Sequence, residues 1–288
     1  MVINQLNSVD VSVLTANYNN ARFLSEYFNS ILSSTILPKE IIFVDDGSTD
    51  ESLKILAEYK PIPWLKVIPL KNNVGFANAL NIGIENCKSQ YIMRLDPDDF
   101  IHPDRIKTQF NFLNNNPLVN ILGTNVLYYN NNKKKTIFQS NLPENHEEIL
   151  SYYVKGHHGL FHTSVMGEKV VFEKIQYKQT EYPAEDYDFF SRVLISGYKV
   201  HNMLDPLTFY RIHNRNVYFT NFKDAINKTI ELRNTLFGSK TSKLKRFFNS
   251  YYKYFYRKFL LSNNLLSRTY NLLLASLLNP MAVGKRIF

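Results

Sequence analysis

The sequence has a single cysteine, Cys87, among its 288 residues. One cysteine cannot form a disulfide within the chain, which excludes a disulfide-stabilised scaffold and favours a reducing, cytosolic environment. The apolar residues around Cys87 predict a packed helix residue rather than a nucleophile. The opening residues, MVINQLNSVD, lack the basic region and the apolar stretch of a signal peptide, so nothing in them predicts export.

Long apolar runs are also missing. The longest candidate, YNLLLASLLNPMAV, is shorter than the roughly 18 residues that indicate a spanning helix, and it contains Asn279 and Pro280. A membrane-spanning helix is therefore not expected. The hydrophobic content of 44% argues against a disordered chain, and the length allows either one large α/β domain or a domain plus an appendage.

Acidic residues are absent from Leu232 to Phe288, a stretch that holds eleven of the 34 lysines and arginines. Without it, 23 basic residues stand against 25 acidic ones, so the net charge of +9 comes from a basic tail on a roughly neutral body. We expect a main domain over residues 1–220 and a helical, basic and aromatic extension over residues 221–288. The tail segment KLKRFFNSYYKYFYRKFLL fits an interfacial helix on anionic lipid, a nucleic-acid-binding surface, or aromatics packed on the main domain.

Short apolar segments alternate with helical patterns in the first half of the chain. The predicted strands are VSVLTA, EIIFV, WLKVIPL and YIMRLD. Between them, FLSEYFNSIL, the segment with Leu53, Leu56 and Tyr59, and GFANALNIGIENC carry apolar residues at helical spacing. This order predicts an α/β fold with a mostly parallel, doubly wound sheet, in which ligands bind at the carboxyl ends of the strands.

The second half predicts smaller elements. We expect a helix at RIKTQFNFL, a hairpin formed by NILGTNVLYY and TIFQS around NNNKKK, and two short strands at YKVHNML and LTFYRIH. The segment PAEDYDFFSRVLISG has a proline start, acids in its first turn and Gly197 past its end, which together predict a helix.

Three aspartates, Asp96, Asp98 and Asp99, lie within four residues directly after the fourth predicted strand. Carboxylates this close repel one another, and a hard divalent cation with oxygen ligands relieves the repulsion. Mg²⁺ or Mn²⁺ bound in this way takes its other ligands from phosphates and water, so the cluster indicates a diphosphate substrate. A helix-capping turn is the alternative interpretation.

Further residues follow the first two predicted strands. Thr15, Ala16 and Tyr18 come after the first, Asp45 and Asp46 after the second, and we expect them at one sheet edge with the three aspartates. The first loop, TANYNNA, has no glycine, which excludes the G-x-G-x-x-G turn of dinucleotide-binding folds. The acidic pair in VDDGSTD also occurs in phosphoacceptor receiver domains, but the later strands lack the aspartate and lysine expected there.

Five segments occur in a characteristic order: VSVLTANYN, IIFVDDGSTDES, NVGFANALNIGI, YIMRLDPDDF and AEDYDFF. Together they resemble the family 2 glycosyltransferases of GT-A fold, over residues 9–215. The resemblance implies an inverting, metal-dependent, hexosyltransferase-type enzyme that uses Mn²⁺ or Mg²⁺, with residues 1–220 as its nucleotide-sugar-binding catalytic domain.

The resemblance also implies a nucleotide pocket. Thr15, Ala16 and Tyr18 are expected to line the space for the base, where the ring of Tyr18 suits stacking. Asp46 is expected to accept the imide N–H of uracil.

Donor and metal contacts are implied in the same way. Asp96 is expected at the ribose or donor sugar, Asp98 at the metal, and Asp99 at a neighbouring sugar contact. Asn73 and Gly75 are expected near the donor, with a plain helix cap and glycine turn as the alternative.

Inverting transfer needs a carboxylate that takes the proton of the acceptor hydroxyl while that oxygen attacks the anomeric carbon. In EDYD, Asp186 shares the inward apolar stripe of the predicted helix, and the resemblance implies the base at this residue. Asp188 is expected in an exposed i, i+4 ion pair with Arg192. Glu185 is expected to support the base or bind the acceptor; acids favoured by the helix dipole are the alternative for the three carboxylates.

The segment YRIHNRN alternates three basic side chains on one face: Arg211, His213 and Arg215. His213 is predicted to contact the metal or the phosphates, because positive charge stabilises a departing diphosphate; a solvated histidine at a strand end is the alternative. His157, His158 and His162 lack the cysteine or acidic partners of a zinc site. They predict an acceptor-side loop instead, with His158 as an acceptor or supporting residue.

The predicted function is transfer of a sugar from a nucleotide sugar, preferably a UDP-sugar, to a hydroxyl of a glycan or lipid-linked acceptor in cell-surface polysaccharide biosynthesis. The expected location is the cytoplasm, with peripheral contact at the inner face of the membrane through the tail. Specificity is expected in loops such as residues 141–182. A non-catalytic nucleotide-sugar-binding or membrane-associated protein is the alternative; nucleic acid is not expected, because the basic charge lies outside the catalytic domain.

Overall fold

The structure is a computed structural model that describes residues 7–131, 134–213, 221–240, 248, 251–252, 254–256, 258–259, 262 and 264–280. The chain divides into two compact units, Met1–Asn214 and Arg215–Phe288. Arg215 and most of the basic segment of the tail lie outside the described residues.

The described part of the first unit contains nine β-strands and seven α-helices. The strands are β1 (Ser8–Asn17), β2 (Leu37–Asp45), β3 (Leu65–Pro69), β4 (Tyr91–Arg94), β5 (Phe100–Ile101), β6 (Ile121–Asn130), β7 (Lys135–Gln139), β8 (Met166–Glu168) and β9 (Val200–Ile212). The helices are α1 (Ala21–Leu32), α2 (Ser52–Glu58), α3 (Phe76–Asn86), α4 (Arg105–Asn115), α5 (His146–Val154), α6 (Lys169–Ile175) and α7 (Glu185–Ile195).

The strands form one mixed sheet in the order β3-β2-β1-β4-β8-β6-β9-β5, and β7 pairs with β6. The first four strands are parallel, as are β6 and β9, whereas β8, β5 and β7 run antiparallel to their neighbours. The alternating strands and helices predicted from the sequence are therefore confirmed. Because β1, β2 and β4 are parallel, the loops that follow them emerge at the same edge of the sheet.

One prediction about the strands is wrong. The segments YKVHNML and LTFYRIH were expected as two short strands, but they form the single strand β9 beside β6. The register between these strands shifts on both sides of Asn125, opposite Pro206. Proline has no N–H to give to the ladder, so the irregularity lies at the point where the sequence pattern breaks.

Helix α1 and helix α3 cover different parts of the core. Phe28 of α1 packs in a buried cluster with Phe43 of β2, while α3 lies against β1 and β2. Gly83 permits this approach of α3, because a Cβ at this position would lie 2.2 Å from Cδ1 of Leu14. Cys87 is buried just after α3, and burial raises the pKa of its thiol to about 12, in agreement with the predicted packing role.

The described part of the second unit includes the helices α8 (Phe222–Phe237) and α9 (Leu265–Leu278). Phe222, Ile226 and Ile230 form a small buried cluster on α8. Among the residues that the structure describes, no helix combines the length and apolar character needed to cross a bilayer.

Candidate active site

The last residues of β1 and the turn that follows it divide their side chains between the interior and the surface. Thr15 is buried, where its hydroxyl donates to the Leu95 carbonyl at 2.7 Å and lies 2.6 Å from the hydroxyl of Tyr27. Ala16 is also buried, whereas Tyr18 keeps 46% of its surface exposed. Of the three residues predicted at the base pocket, only Tyr18 thus presents its side chain to solvent.

The acidic pair at the end of β2 connects the neighbouring loops. Asp45 accepts hydrogen bonds from the Asn17 amide at 2.8 Å and from the Ser48 hydroxyl at 2.7 Å. Asp46 accepts the backbone N–H groups of Val74 at 2.7 Å and Gly75 at 3.0 Å. Burial raises the pKa of Asp46, although these two N–H groups oppose the shift.

These bonds bring two predicted donor contacts, Asp46 and Gly75, together at the start of α3. Gly75 has a positive φ of 93°, and a Cβ there would lie 2.4 Å from the side chain of Gln179. The same glutamine accepts the backbone N–H of Ala77 at 2.9 Å. Asn73 is exposed just before this turn.

The three aspartates after β4 point to different partners. Asp96 accepts a hydrogen bond from Arg94 through its side chain, and its backbone N–H donates to the Thr163 hydroxyl at 3.1 Å. Asp99 is buried and accepts the backbone N–H of Arg211 at 2.8 Å, which ties this loop to β9. Burial, with the charges of Asp98 and Asp96, raises the pKa of Asp99 well above its ordinary value.

Asp98 meets His213, the residue predicted with it as a metal ligand. Its Oδ2 lies 2.8 Å from Nε2 of the imidazole, whose Nδ1 is 3.2 Å from a guanidinium nitrogen of Arg22. Because a guanidinium only donates hydrogen bonds, Nδ1 is the accepting nitrogen and Nε2–H donates to Asp98. The ring centroids of Phe23 and His213 are 4.7 Å apart, so the imidazole also packs on an aromatic side chain.

The donor set of Asp98 and His213 fits a divalent cation. No cluster of three or more metal-ligating side chains occurs in the described part of the chain. Mg²⁺ and related ions, however, are often held by one or two protein groups, with phosphates and water as the other ligands. Asp98 Oδ2 and His213 Nε2 would meet that requirement once the imidazole proton moves from Nε2 to Nδ1, which displaces the contact with Arg22.

Arg94 is a site residue that the sequence interpretation missed. Its side chain is fully buried and donates to the carbonyls of Leu14 at 2.8 Å and Leu95 at 2.9 Å, to Asp96, and to His162 at 3.3 Å. Burial and the Arg94 charge lower the pKa of His162 to about 3, so this imidazole is neutral at physiological pH. An arginine inside the apolar run YIMRL was the available signal, since a buried cation requires partners.

The start of α7 places Asp186 beside His158. The Asp186 carboxylate lies 3.5 Å from Nε2 of His158 and keeps 29% of its side-chain surface exposed, so an acceptor can reach it. Burial acts to raise the pKa of Asp186, but His158 and the Tyr187 N–H outweigh it and hold the value at about 2. Asp186 is therefore ionised at neutral pH.

Glu185, the preceding residue, has the opposite character. Burial, followed by the charge of Asp186, raises the pKa of the Glu185 carboxyl to about 8. Within the described chain, its Oε2 has no hydrogen-bond partner. Two adjacent carboxyl groups thus differ in protonation at neutral pH, a pattern that is typical of sites with separate acid and base roles.

The ion pair predicted between Asp188 and Arg192 is present, with 2.6 Å between Oδ2 and a guanidinium nitrogen. The predicted orientation of these acids is wrong: Asp188, expected at the surface, is only 2% exposed, whereas Asp186, expected to face inward, keeps 29% of its side-chain surface exposed. Arg192 also donates to the carbonyls of Ile175 and Gln176, so the end of α6 covers the pair.

Residues distant in sequence meet at this edge of the sheet. The charge of Asp186 contributes to raising the pKa of Asp96, and Arg94 links Asp96 to His162. His162 in turn lies 2.8 Å from the hydroxyl of Tyr177. The loop after β4, the turn at residues 162–164 and α7 therefore contribute to one polar site.

The fold that carries this site is that of the GT-A glycosyltransferases. The S. aureus TarS 1-349 structure in complex with UDP-GlcNAc superposes with a TM-score of 0.59 at 16% identity, covering 94% of this chain and 71% of that one. The mannosyltransferase PcManGT from Pyrobaculum calidifontis, in complex with GDP-Man and Mn²⁺, gives a TM-score of 0.60 at 15% identity, covering 99% and 80%. These likenesses confirm the predicted fold class.

The sequence comparison defines the family. The model described as Glycosyl transferase family 2 matches residues 12–176. The amylovoran biosynthesis glycosyltransferase AmsE of Erwinia amylovora is 30% identical over 68% of this chain and 74% of its own length. The chain therefore belongs to glycosyl transferase family 2.

Proposed function

We propose that the first unit catalyses inverting transfer of a sugar from a nucleotide sugar to a hydroxyl of a glycan or lipid-linked acceptor. The observation that carries the proposal is that Arg94 donates to both Asp96 and His162, and that the His162 ring packs on Phe190 of α7, the helix that begins with Glu185 and Asp186. A donor at Asp96 and an acceptor at Asp186 would then be neighbours, as direct transfer between them requires.

Asp186 is the proposed base. The acceptor oxygen forms a bond to the anomeric carbon while the bond to the diphosphate breaks on the opposite side, and the hydroxyl proton passes to the Asp186 carboxylate. Its ionised state and partial exposure support this role. His158, at 3.5 Å, orients the carboxylate.

Asp98 and His213 are the proposed residues for Mn²⁺ or Mg²⁺. When bound, such an ion supplies positive charge for the departing diphosphate. The pairing of a carboxylate and an imidazole at 2.8 Å supports this assignment, and the related fold of PcManGT has been solved with Mn²⁺.

A UDP-sugar is the proposed donor class. Asp46 is the main reason for proposing uracil. A carboxylate has about four acceptor sites, and Asp46 uses only some of them for the N–H groups of Val74 and Gly75, so another can accept the imide N–H of uracil. The exposed ring of Tyr18 is the proposed stacking surface. TarS has been solved with UDP-GlcNAc but PcManGT with GDP-Man, so the base must be tested directly.

The proposed setting is synthesis of a cell-surface polysaccharide in the cytoplasm. AmsE, a relative with 30% identity, is named for amylovoran biosynthesis, which supports a polysaccharide or its lipid-linked precursor as acceptor. Residues 1–220 are the proposed catalytic domain, and the remainder is the proposed extension.

Thermal-shift measurements with UDP, GDP, CDP and dTDP, each with and without Mn²⁺, test the donor class. We expect stabilisation by UDP that requires the metal and is lost in Asp98→Asn. Asp186→Asn should retain this stabilisation but lose turnover of the donor, whereas the matched Asp10→Asn, at an exposed ion pair with Lys39, should change neither. Metal-dependent nucleotide binding without any donor hydrolysis or transfer would favour the non-catalytic alternative.

A further inference from the structure

Helix α9 is apolar on two opposite faces. On one face, Ala275 is buried in a cluster with Tyr252 and Tyr256. The other face carries large apolar side chains at positions i, i+4, i+7 and i+11: Leu266, Tyr270, Leu273 and Leu277, with exposures of 81%, 63%, 59% and 79%. We call these four residues the exposed stripe. Packing within the unit thus accounts for one apolar face and leaves the other in solvent.

The sequence that carries the exposed stripe has charge of one sign. No aspartate or glutamate occurs from Leu232 to the end of the sequence, which includes all of α9, whereas lysines and arginines are frequent. Two of them are described close to the helix cluster: Arg268 lies over the ring of Phe259 at 5.1 Å, and Lys258 over that of Tyr254 at 4.6 Å. A partner that binds the exposed stripe must therefore be compatible with nearby positive charge.

We propose that the exposed stripe docks into the interface of an anionic lipid membrane. Such an interface offers both hydrocarbon for the leucines and negative headgroups for the cations. A second copy of the chain would bring two cationic segments together, and nucleic acid offers phosphates but no hydrocarbon for aliphatic side chains.

The length of α9 determines how it lies. Its 14 residues extend for about 21 Å, which is less than the roughly 30 Å of bilayer hydrocarbon. The helix therefore rests in the plane of the membrane with the exposed stripe inward. This inference does not depend on the proposed transferase activity, and its test needs no substrate.

Vesicle flotation of the full chain tests the proposal. Vesicles of phosphatidylcholine with phosphatidylglycerol are compared with vesicles of phosphatidylcholine alone. The stripe variant carries Leu266→Asn, Leu273→Asn and Leu277→Asn. A matched control carries Leu118→Asn, Ile195→Asn and Leu204→Asn, three exposed apolar positions of the first unit.

We expect the wild type and the control to bind the anionic vesicles, and the stripe variant to bind at least about tenfold more weakly. Equal binding by the stripe variant and the wild type, or no wild-type binding, would overturn the proposal. So would a stripe-dependent dimer in solution, or stripe-dependent binding of an oligonucleotide, in the absence of vesicle binding. Melting curves of the three proteins establish that each is folded.

A second measurement does not rely on loss of binding. In Tyr270→Trp, the new indole is placed in the exposed stripe, while Trp64, the sole tryptophan of the sequence, is buried in the first unit and serves as background in the wild type. Anionic vesicles should shift the emission of the variant to the blue, and brominated lipid should quench it. Unchanged emission at saturating vesicles would contradict insertion of this face.

Discussion

The buried carboxyl of Glu185 should make the stability of the first unit depend on pH. Its pKa is about 8 in the folded chain, against an ordinary value of 4.5, because burial and the charge of Asp186 disfavour ionisation. Between these values the unfolded chain loses the proton while the folded chain keeps it. The folded state then binds more protons, so the free energy of unfolding falls as pH rises from 4.5 to 8 and levels off above 8.

The size of this effect follows from the difference between the two pKa values. At about 1.4 kcal/mol per pKa unit, the shift corresponds to at most about 5 kcal/mol. Glu185→Gln keeps the shape of the side chain and removes its titration. The variant should therefore match the wild type near pH 4.5 and exceed it in stability by about 2 to 5 kcal/mol near pH 8.5.

Denaturant unfolding followed by the fluorescence of Trp64 measures this difference, because this tryptophan lies in the core of the first unit. Curves are recorded for the wild type and Glu185→Gln at several pH values from 4.5 to 9. The exposed Glu58→Gln serves as the control for general effects of removing a charge. A stability difference that stays constant across this range would refute the protonated state assigned to Glu185.

Three further substitutions test the packing and charge pairing of the site. Arg94→Met should destabilise the fold by about 3 kcal/mol and weaken nucleotide binding, because it leaves Asp96 without its cation. Denaturant unfolding measures the first effect, and thermal shift with nucleotide measures the second. Gly83→Ala should lower the free energy of unfolding by about 1–3 kcal/mol in melting experiments, because the new Cβ would lie 2.2 Å from Cδ1 of Leu14. Asp188→Asn should lower the free energy of unfolding by about 3 kcal/mol, because Asp188 is buried and the substitution leaves the charge of Arg192 without its partner.

The carboxyl edge of the sheet could be predicted because it depends on local signals. Apolar strands ending in Asp45 and Asp46, or followed by Asp96 and Asp98, specify both the strand and the point where it stops. The early acids and Gly197 past the end similarly predicted α7 as a helix. These are properties of a segment and its immediate neighbours, so the sequence pattern carries them.

Tertiary contacts explain what the patterns could not show. Asp188 has the spacing of a surface ion pair, and it is buried only because the end of α6 covers Arg192. Thr15 has the position of a pocket residue, but Tyr27 and Leu95 engage its hydroxyl inside the core. In each case a segment far away in the chain decides the environment of the side chain.

The arginines beneath the site bear on how a diphosphate could be bound. Arg94 directs its donors to Leu14, Leu95, Asp96 and His162, all groups of the protein. Arg211, another buried guanidinium, donates to the Asp98 carbonyl, Asn131 and Glu26. Both side chains therefore stabilise the loops and carboxylates of the site before a donor arrives.

A diphosphate that enters this site brings additional negative charge close to Asp96 and Asp98. Arg94 and Arg211 already donate to groups of the protein. If either guanidinium turned to the phosphates, a buried carboxylate or carbonyl would lose its donor, which would cost about 1–3 kcal/mol or more of free energy. A cation that arrives together with the nucleotide and binds Asp98 and His213 avoids this cost. On this reasoning, omission of Mn²⁺ should weaken UDP binding more than the substitution Arg211→Lys does. UDP affinity measured with and without Mn²⁺, for the wild type and for Arg211→Lys, compares the two effects.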